Sequence, residues 1–192
     1  MVGMRDHSKG KKFKRLSFDK KYAIDILLGI KRATIRKTDK GLNPGDVVEF
    51  YTRGPRGRLI GWGKIRRIAK KKVSELNDRD VMLEGFSRRE HLLATLSTHY
   101  KGIQEGDEVV VIEFELERPS ISFSKEVFSK IAKLALDKNL KLSQSDQKLL
   151  EYFLRTPKKD KIILSTDLRD IIRMVYVKLR SEDSSSQFSF FN

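Results

Sequence analysis

A chain of 192 residues, 39% hydrophobic and 35% charged, can bury one full core, or one domain of about 100 residues with an appendage, and is too apolar to stay disordered. No apolar run approaches the roughly 18 residues that cross a bilayer, and residues 1–21 are too charged for a secretory leader, so a cytoplasmic protein away from membranes is expected. The absence of cysteine excludes disulfides and cysteine-ligated zinc, and His7, His91 and His99 are too scattered for a ligand set, so neither metal nor cofactor is expected.

The formal net charge is +15, and residues 1–40 carry 13 Lys/Arg against 4 Asp/Glu. Such a lopsided field attracts polyphosphate and speeds association, which makes RNA a natural partner, although a solvated lysine-rich surface has the same composition.

Residues 1–12 lack apolar periodicity and read as a basic arm leading into a first strand. Apolar spacing over 18–30 predicts an amphipathic helix, left at Gly29. A break begins at Ile35, and Asn43-Pro44-Gly45-Asp46 reads as a tight turn before a strand at 47–51. Residues 59–68 predict a long strand bent at its glycines, which suggests a small barrel. A short helix over 74–84 ends at Gly85, and Ser87 with Glu90 has the form of a capping box opening a helix through Tyr100. Gly106-Asp107 repeats the earlier Gly-Asp entry into a strand, here 109–116. After Pro119 the pattern is helical only, over 125–138, 145–155 and 166–180, with Pro157 and the Lys158-Lys159-Asp160 turn between the last two. The expected organisation is an arm (1–12), a main domain (13–119), a helical module (120–180) and a flexible tail (181–192).

Residues 29–36, Gly-Ile-Lys-Arg-Ala-Thr-Ile-Arg, resemble the G-x-K-x-x-T-x-R signature of ASCH domains at all four fixed positions. Glu84-Gly85-Phe86 and the closing strand Val111-Ile112-Glu113-Phe114 follow in the family's order, so the resemblance spans about residues 13–118. It implies an α+β fold, a PUA-like small β-barrel with flanking helices, here followed by an all-helical module. ASCH domains are regarded as RNA-linked modules, and small bacterial members hydrolyse N4-acetylcytidine through a Lys, a Thr and a Glu. By motif position those are Lys31, Thr34 and Glu84.

These residue types suit that chemistry. A threonine hydroxyl needs a neighbouring base to become a nucleophile, and a lysine serves only if its pKa falls from about 10.4 toward about 7–8. Arg32 and Arg36 are expected to lower it, and Lys31 and Thr34 would share a face if the helical turn continued. Arg36 suits a phosphate or carbonyl oxygen. Taken singly, each residue reads equally as a cap, a solvated charge or an exposed ion pair. Tyr51 and Trp62 would stack on a base or fill the core.

The basic arm, the helical module and the Gly-Phe after Glu84 depart from the small hydrolases. The expected function is therefore binding of RNA or of a modified nucleotide, through a basic face of Gly29, Lys31, Arg32, Thr34 and Arg36 with Lys11, Lys12, Lys14 and Arg15. The alternative is an amidohydrolase acting on N4-acetylcytidine or a related nucleoside. A protein partner would engage the C-terminal helices or the aromatic tail.

Overall fold

The computed structural model describes residues 13–156, 160–163 and 165–182. The arm with Lys11 and Lys12, the turn residues 157–159 and tail residues 183–192 lie outside them. The fold is α+β. Strands β1 (Lys14–Phe18), β2 (Ala33–Arg36), β3 (Val47–Thr52), β4 (Leu59–Lys72) and β5 (Glu108–Pro119) form one curled sheet in the order β1-β3-β4-β5-β2. All neighbours are antiparallel except β1 and β3.

Phe18 ends β1 instead of opening the helix expected over 18–30, because it belongs to an aromatic cluster inside the sheet, with ring centroids 5.7 Å from Phe50 and 5.6 Å from Phe114. Only a 3₁₀ turn (Lys20–Tyr22) and the short helix α1 (Ala23–Leu27) remain of that helix. The break placed at Ile35 is instead the four-residue β2, paired with β5 with Thr34 opposite Ile112. Strand β4 runs to Lys72 and bends at bulges after Trp62 and Ile65. Gly63 lets the sheet close at that bend, since a Cβ there would lie 2.4 Å from the Phe50 ring.

Helices α2 (Asp78–Glu84) and α3 (Arg89–His99) cover one face of the sheet. Asn77 and Asp80 cap α2 reciprocally. The capping box expected from Ser87 and Glu90 does not form: Arg88 is the N-cap of α3, and Glu90 pairs with its side chain at 3.2 Å. The two Gly-Asp entries use the same device, Asp46 accepting from the Asn43 amide (2.9 Å) and Asp107 from the Gln104 amide (3.1 Å).

Beyond the sheet, α4 (Ile121–Asp137), α5 (Gln144–Arg155), α6 (Asp160–Ile163) and α7 (Thr166–Glu182) complete the chain. Strand β5 buries both faces, Val110, Ile112 and Phe114 toward the barrel interior and Val109 and Val111 toward α2 and α3, which accounts for its unbroken apolar run. The interior core is continuous from Leu16, Phe50 and Phe114 to Phe123, Val127, Ile131, Phe153 and Leu179 of the helices. The division at residue 119 is a change of topology within a shared core. Among the described residues no helix is long and apolar enough to cross a membrane.

Candidate nucleotide cleft

The curl brings the outermost strands β1 and β2 together, and Arg36 spans the seam, its Nη2 donating to the Ser17 carbonyl at 2.8 Å. At this seam lies a cleft of about 60 Å³, partly open to solvent. Lys31, Thr34, Arg36 and Glu84 all line it. Lys31 and Thr34 do not share a helical face, because α1 ends at Leu27; Lys31 sits in the following loop and Thr34 on β2. The shift from turn to strand brings both to the cleft.

The C-terminal end of α2 shapes the site. Gly85 leaves the helix at φ +89°, and an added Cβ would lie 3.5 Å from that of Lys31. The carbonyl of Leu83 accepts from the Arg32 amide (2.6 Å), the carbonyl of Glu84 accepts from Lys31 Nζ (3.1 Å), and Glu84 Oε1 accepts from the Ile35 amide (3.0 Å). Glu84 Oε2 is in direct contact with Lys31 Nζ. A cation suits this position, where the final carbonyls of a helix converge. Both side chains are buried, Lys31 at 3% exposure and Glu84 at 7%.

Burial pushes the Lys31 ammonium down to about 7; Asp25 opposes this and Arg36 adds to it. Arg32, expected to share that role, is exposed and contributes no part of the shift. Lys31 Nζ also lies 4.9 Å from the centroid of the Tyr22 ring. Arg36 is held below its ordinary value by burial, lies over Phe18, and keeps a buried Nε that has no acceptor among the described residues. The Thr34 side chain makes no hydrogen bond among the described residues.

The cleft rim comes from residues that no spacing in the sequence signals. Asp19 pairs with Arg53 and His99, both at 3.0 Å, and Thr95 and Tyr100 complete the α3 side. Burial works to raise the Asp19 carboxyl, but His99, Arg53 and Lys21 outweigh it and leave it below its ordinary range. Beneath the site, buried Asp25 accepts from Arg180 at 3.3 Å and bonds the Tyr176 hydroxyl. Burial nevertheless raises its pKa. The C-terminal helix thereby reaches the neighbourhood of Lys31.

The basic face expected from Lys14 through Lys31 is not continuous. Lys31 is inside the protein, Lys14 bonds Asp46 (2.7 Å), and Arg15 pairs with Glu49 (2.8 Å) while covering the Tyr51 ring at 4.7 Å. Trp62 is covered by Arg118 at 5.3 Å, and neither ring lines the cleft. Gly29 and Arg32 face a second hollow. Among the described residues no group of three or more His, Asp or Glu is placed to hold a metal ion.

No family model and no curated protein matches the chain. Solved structures do. An ASCH protein from Zymomonas mobilis is 15% identical, with a TM-score of 0.43 over 59% of this chain and 76% of its own. An ASCH domain from Lactobacillus crispatus is 19% identical, with a TM-score of 0.42 over 55% of this chain and 80% of its own. A protein from Enterococcus faecalis of family model DUF984 is 10% identical, with a TM-score of 0.46 over 59% of this chain and 86% of its own.

Proposed function

We propose that this is an ASCH-type protein that binds RNA or a modified nucleotide, with a base or its substituent entering the cleft at the β1–β2 seam. The observation that carries this reading is the convergence of Lys31, Thr34, Arg36 and Glu84, distant in sequence or in backbone direction, on one small buried hollow. Arg36 Nε supplies a buried donor in search of an acceptor, a role that a base carbonyl or a phosphate oxygen fills. Fluorescence anisotropy with labelled single-stranded RNA, and NMR titration with cytidine and N4-acetylcytidine, test the reading. Arg36→Gln is expected to weaken binding about tenfold, the loss of one charge-assisted hydrogen bond. Unchanged affinity in both Arg36→Gln and Lys31→Met would remove the cleft from the account.

A second reading, hydrolysis of N4-acetylcytidine, is favoured by the lysine with a depressed pKa beside an unbonded threonine hydroxyl. In that chemistry neutral Lys31 takes the Thr34 hydroxyl proton as the oxygen attacks the acetyl carbon. The cytidine amine departs with a proton returned from Lys31, and water then cleaves the acyl-threonine to release acetate. Glu84 orients the lysine or passes its proton. Lys31→Met is expected to abolish acetate release, and Thr34→Ala and Glu84→Gln to lower it about 10²-fold or more. Binding of the acetylated nucleoside without turnover would leave recognition alone.

A further inference from the structure

On the other side of the 29–32 segment lies a second hollow of about 330 Å³, walled on one side by the barrel at Gly29, Arg32 and Leu116 and on the other by Thr166, Arg169 and Arg173 of α7. Lys31 lines both this groove and the cleft. Positions 166, 169 and 173 are three and four residues apart, so they share one face of the helix. Arg169 and Arg173 of the helix and Arg32 of the barrel segment therefore line one groove from its two sides.

Many arginines elsewhere on the surface are held by acids. Arg15 pairs with Glu49, Arg79 with Glu113, and Arg66 with both Glu115 and Glu117. Arg32, Arg169 and Arg173 form no ion pair among the described residues. Two acids also line the groove. Glu115 is already held by Arg66 at 2.5 Å, which leaves Asp170 against three arginines. Like charges four apart on a helix repel, as do charges facing each other across a groove, and a bound anion converts that repulsion into attraction.

The chemistry selects the anion. Guanidinium forks match the paired oxygens of a phosphate, and the Thr166 hydroxyl in the first turn of α7 adds a donor of the same sense. A strand carries a phosphate on either side of each nucleoside, so with a base in the cleft a groove that shares a wall with it is placed to meet one of them.

We propose that this groove is a site for the phosphodiester backbone of RNA, in which Arg32, Arg169 and Arg173 grip the strand whose base enters the cleft, so that the C-terminal helix supplies a second foothold. The proposal rests on the RNA reading of the cleft, and its test separates the two. With the full chain and a labelled oligoribonucleotide of about 12 residues, affinity is followed by anisotropy across a series of KCl concentrations. Arg169→Gln/Arg173→Gln is expected to flatten the dependence of log K on log salt by about 1.4, two phosphate contacts at about 0.7 each on a single strand, while Arg169→Lys/Arg173→Lys retains most of the slope. Cytidine binding by NMR is expected to be unchanged in both double variants, whose thermal unfolding provides the fold control.

An unchanged slope in the glutamine variant, with RNA binding still sensitive to Arg36→Gln, overturns the groove and leaves the cleft standing. A flattened slope, with Arg36→Gln and Lys31→Met binding RNA as the parent does, keeps the groove and overturns the cleft. Absence of RNA binding by the parent at low salt overturns both. Displacement of the RNA by polyglutamate as effectively as by unlabelled RNA would assign the groove to an acidic protein surface and overturn the phosphodiester assignment.

Discussion

The cleft and the outer face of the barrel spend their charges in opposite ways. On the outer face Lys14, Arg15 and Arg66 each meet an acid in solvent, and each pair is screened and costs side-chain freedom to hold. In the cleft Lys31 and Glu84 meet out of water, with helix carbonyls and a strand amide as their further partners. Such a pair contributes little net stability, but neither partner can be lost without stranding a buried charge. Ion pairs hold many of the surface cations, but with 41 Lys/Arg against 26 Asp/Glu they leave the formal excess of +15 in place. The proposed function places its weight on one lysine the solvent barely touches.

The severest way to break this contrast is to end the chain at residue 119. That removes Arg180 and Tyr176 from Asp25 and uncovers the interior core that Phe123, Val127 and Ile131 close. The proposed main domain is expected to unfold cooperatively in a calorimeter, at a much lower temperature than the full chain. A molten product would make the helices part of the domain.

Next in size, Glu84→Ala leaves the Ile35 amide without its acceptor and Lys31 with only the residue-84 carbonyl and no counter-ion, and is expected to cost about 3–5 kcal/mol in denaturant unfolding. Lys31→Met combined with Glu84→Leu is expected to recover the part of that loss due to the stranded lysine, since it replaces the pair with apolar groups of similar size, while the Ile35 amide stays without its acceptor. Failure of the double variant to recover would show that the pair organises the fold of β2 beyond its own charges.

The pH dependence sharpens the contrast. An amine with a native pKa of about 7 and an ordinary one of 10.5 binds fewer protons folded than unfolded between those values. Stability attributable to Lys31 therefore rises with pH across that window, by a few kcal/mol at most. Thermal unfolding of the parent minus that of Lys31→Met, measured from pH 6 to 10, is expected to climb above about 7. A flat difference would mean that contact with Glu84 keeps the lysine charged throughout.

Smaller effects follow at the edges. Gly85→Ala places a side chain at φ +89° and is expected to cost about 1–2 kcal/mol through backbone strain, since the added Cβ meets Lys31 at ordinary contact distance. Arg66→Ala, which breaks two exposed pairs, is expected to cost less than about 1 kcal/mol and to lose even that in high salt. A larger cost there would erase the distinction between the two regions.

Much of this molecule is written locally. The alternating run of β3, the glycine-bent β4, the apolar β5 and the helices after Pro119 follow from side-chain period, and the octet 29–36 marks the cleft by residue type. Glu84 was accessible only through the order of motifs, because its partners lie 53 and 49 residues away. Local pattern misled where an element is short. Phe18 carries helical spacing but is claimed by the aromatic cluster, and β2 is too brief to alternate visibly.

Asp19, Arg53 and His99 at the rim, Asp25 with Arg180 beneath the site, and Arg32 facing Arg169 and Arg173 have no signal in spacing at all. Their association arises when the sheet curls until its edge strands meet and the C-terminal helices close the same core. Sequence determined which residues could carry charge and chemistry. Tertiary structure decided which charges lost their water, and with it which lysine departs from its ordinary acidity, because desolvation depends on what covers a residue and not on what precedes it in the chain.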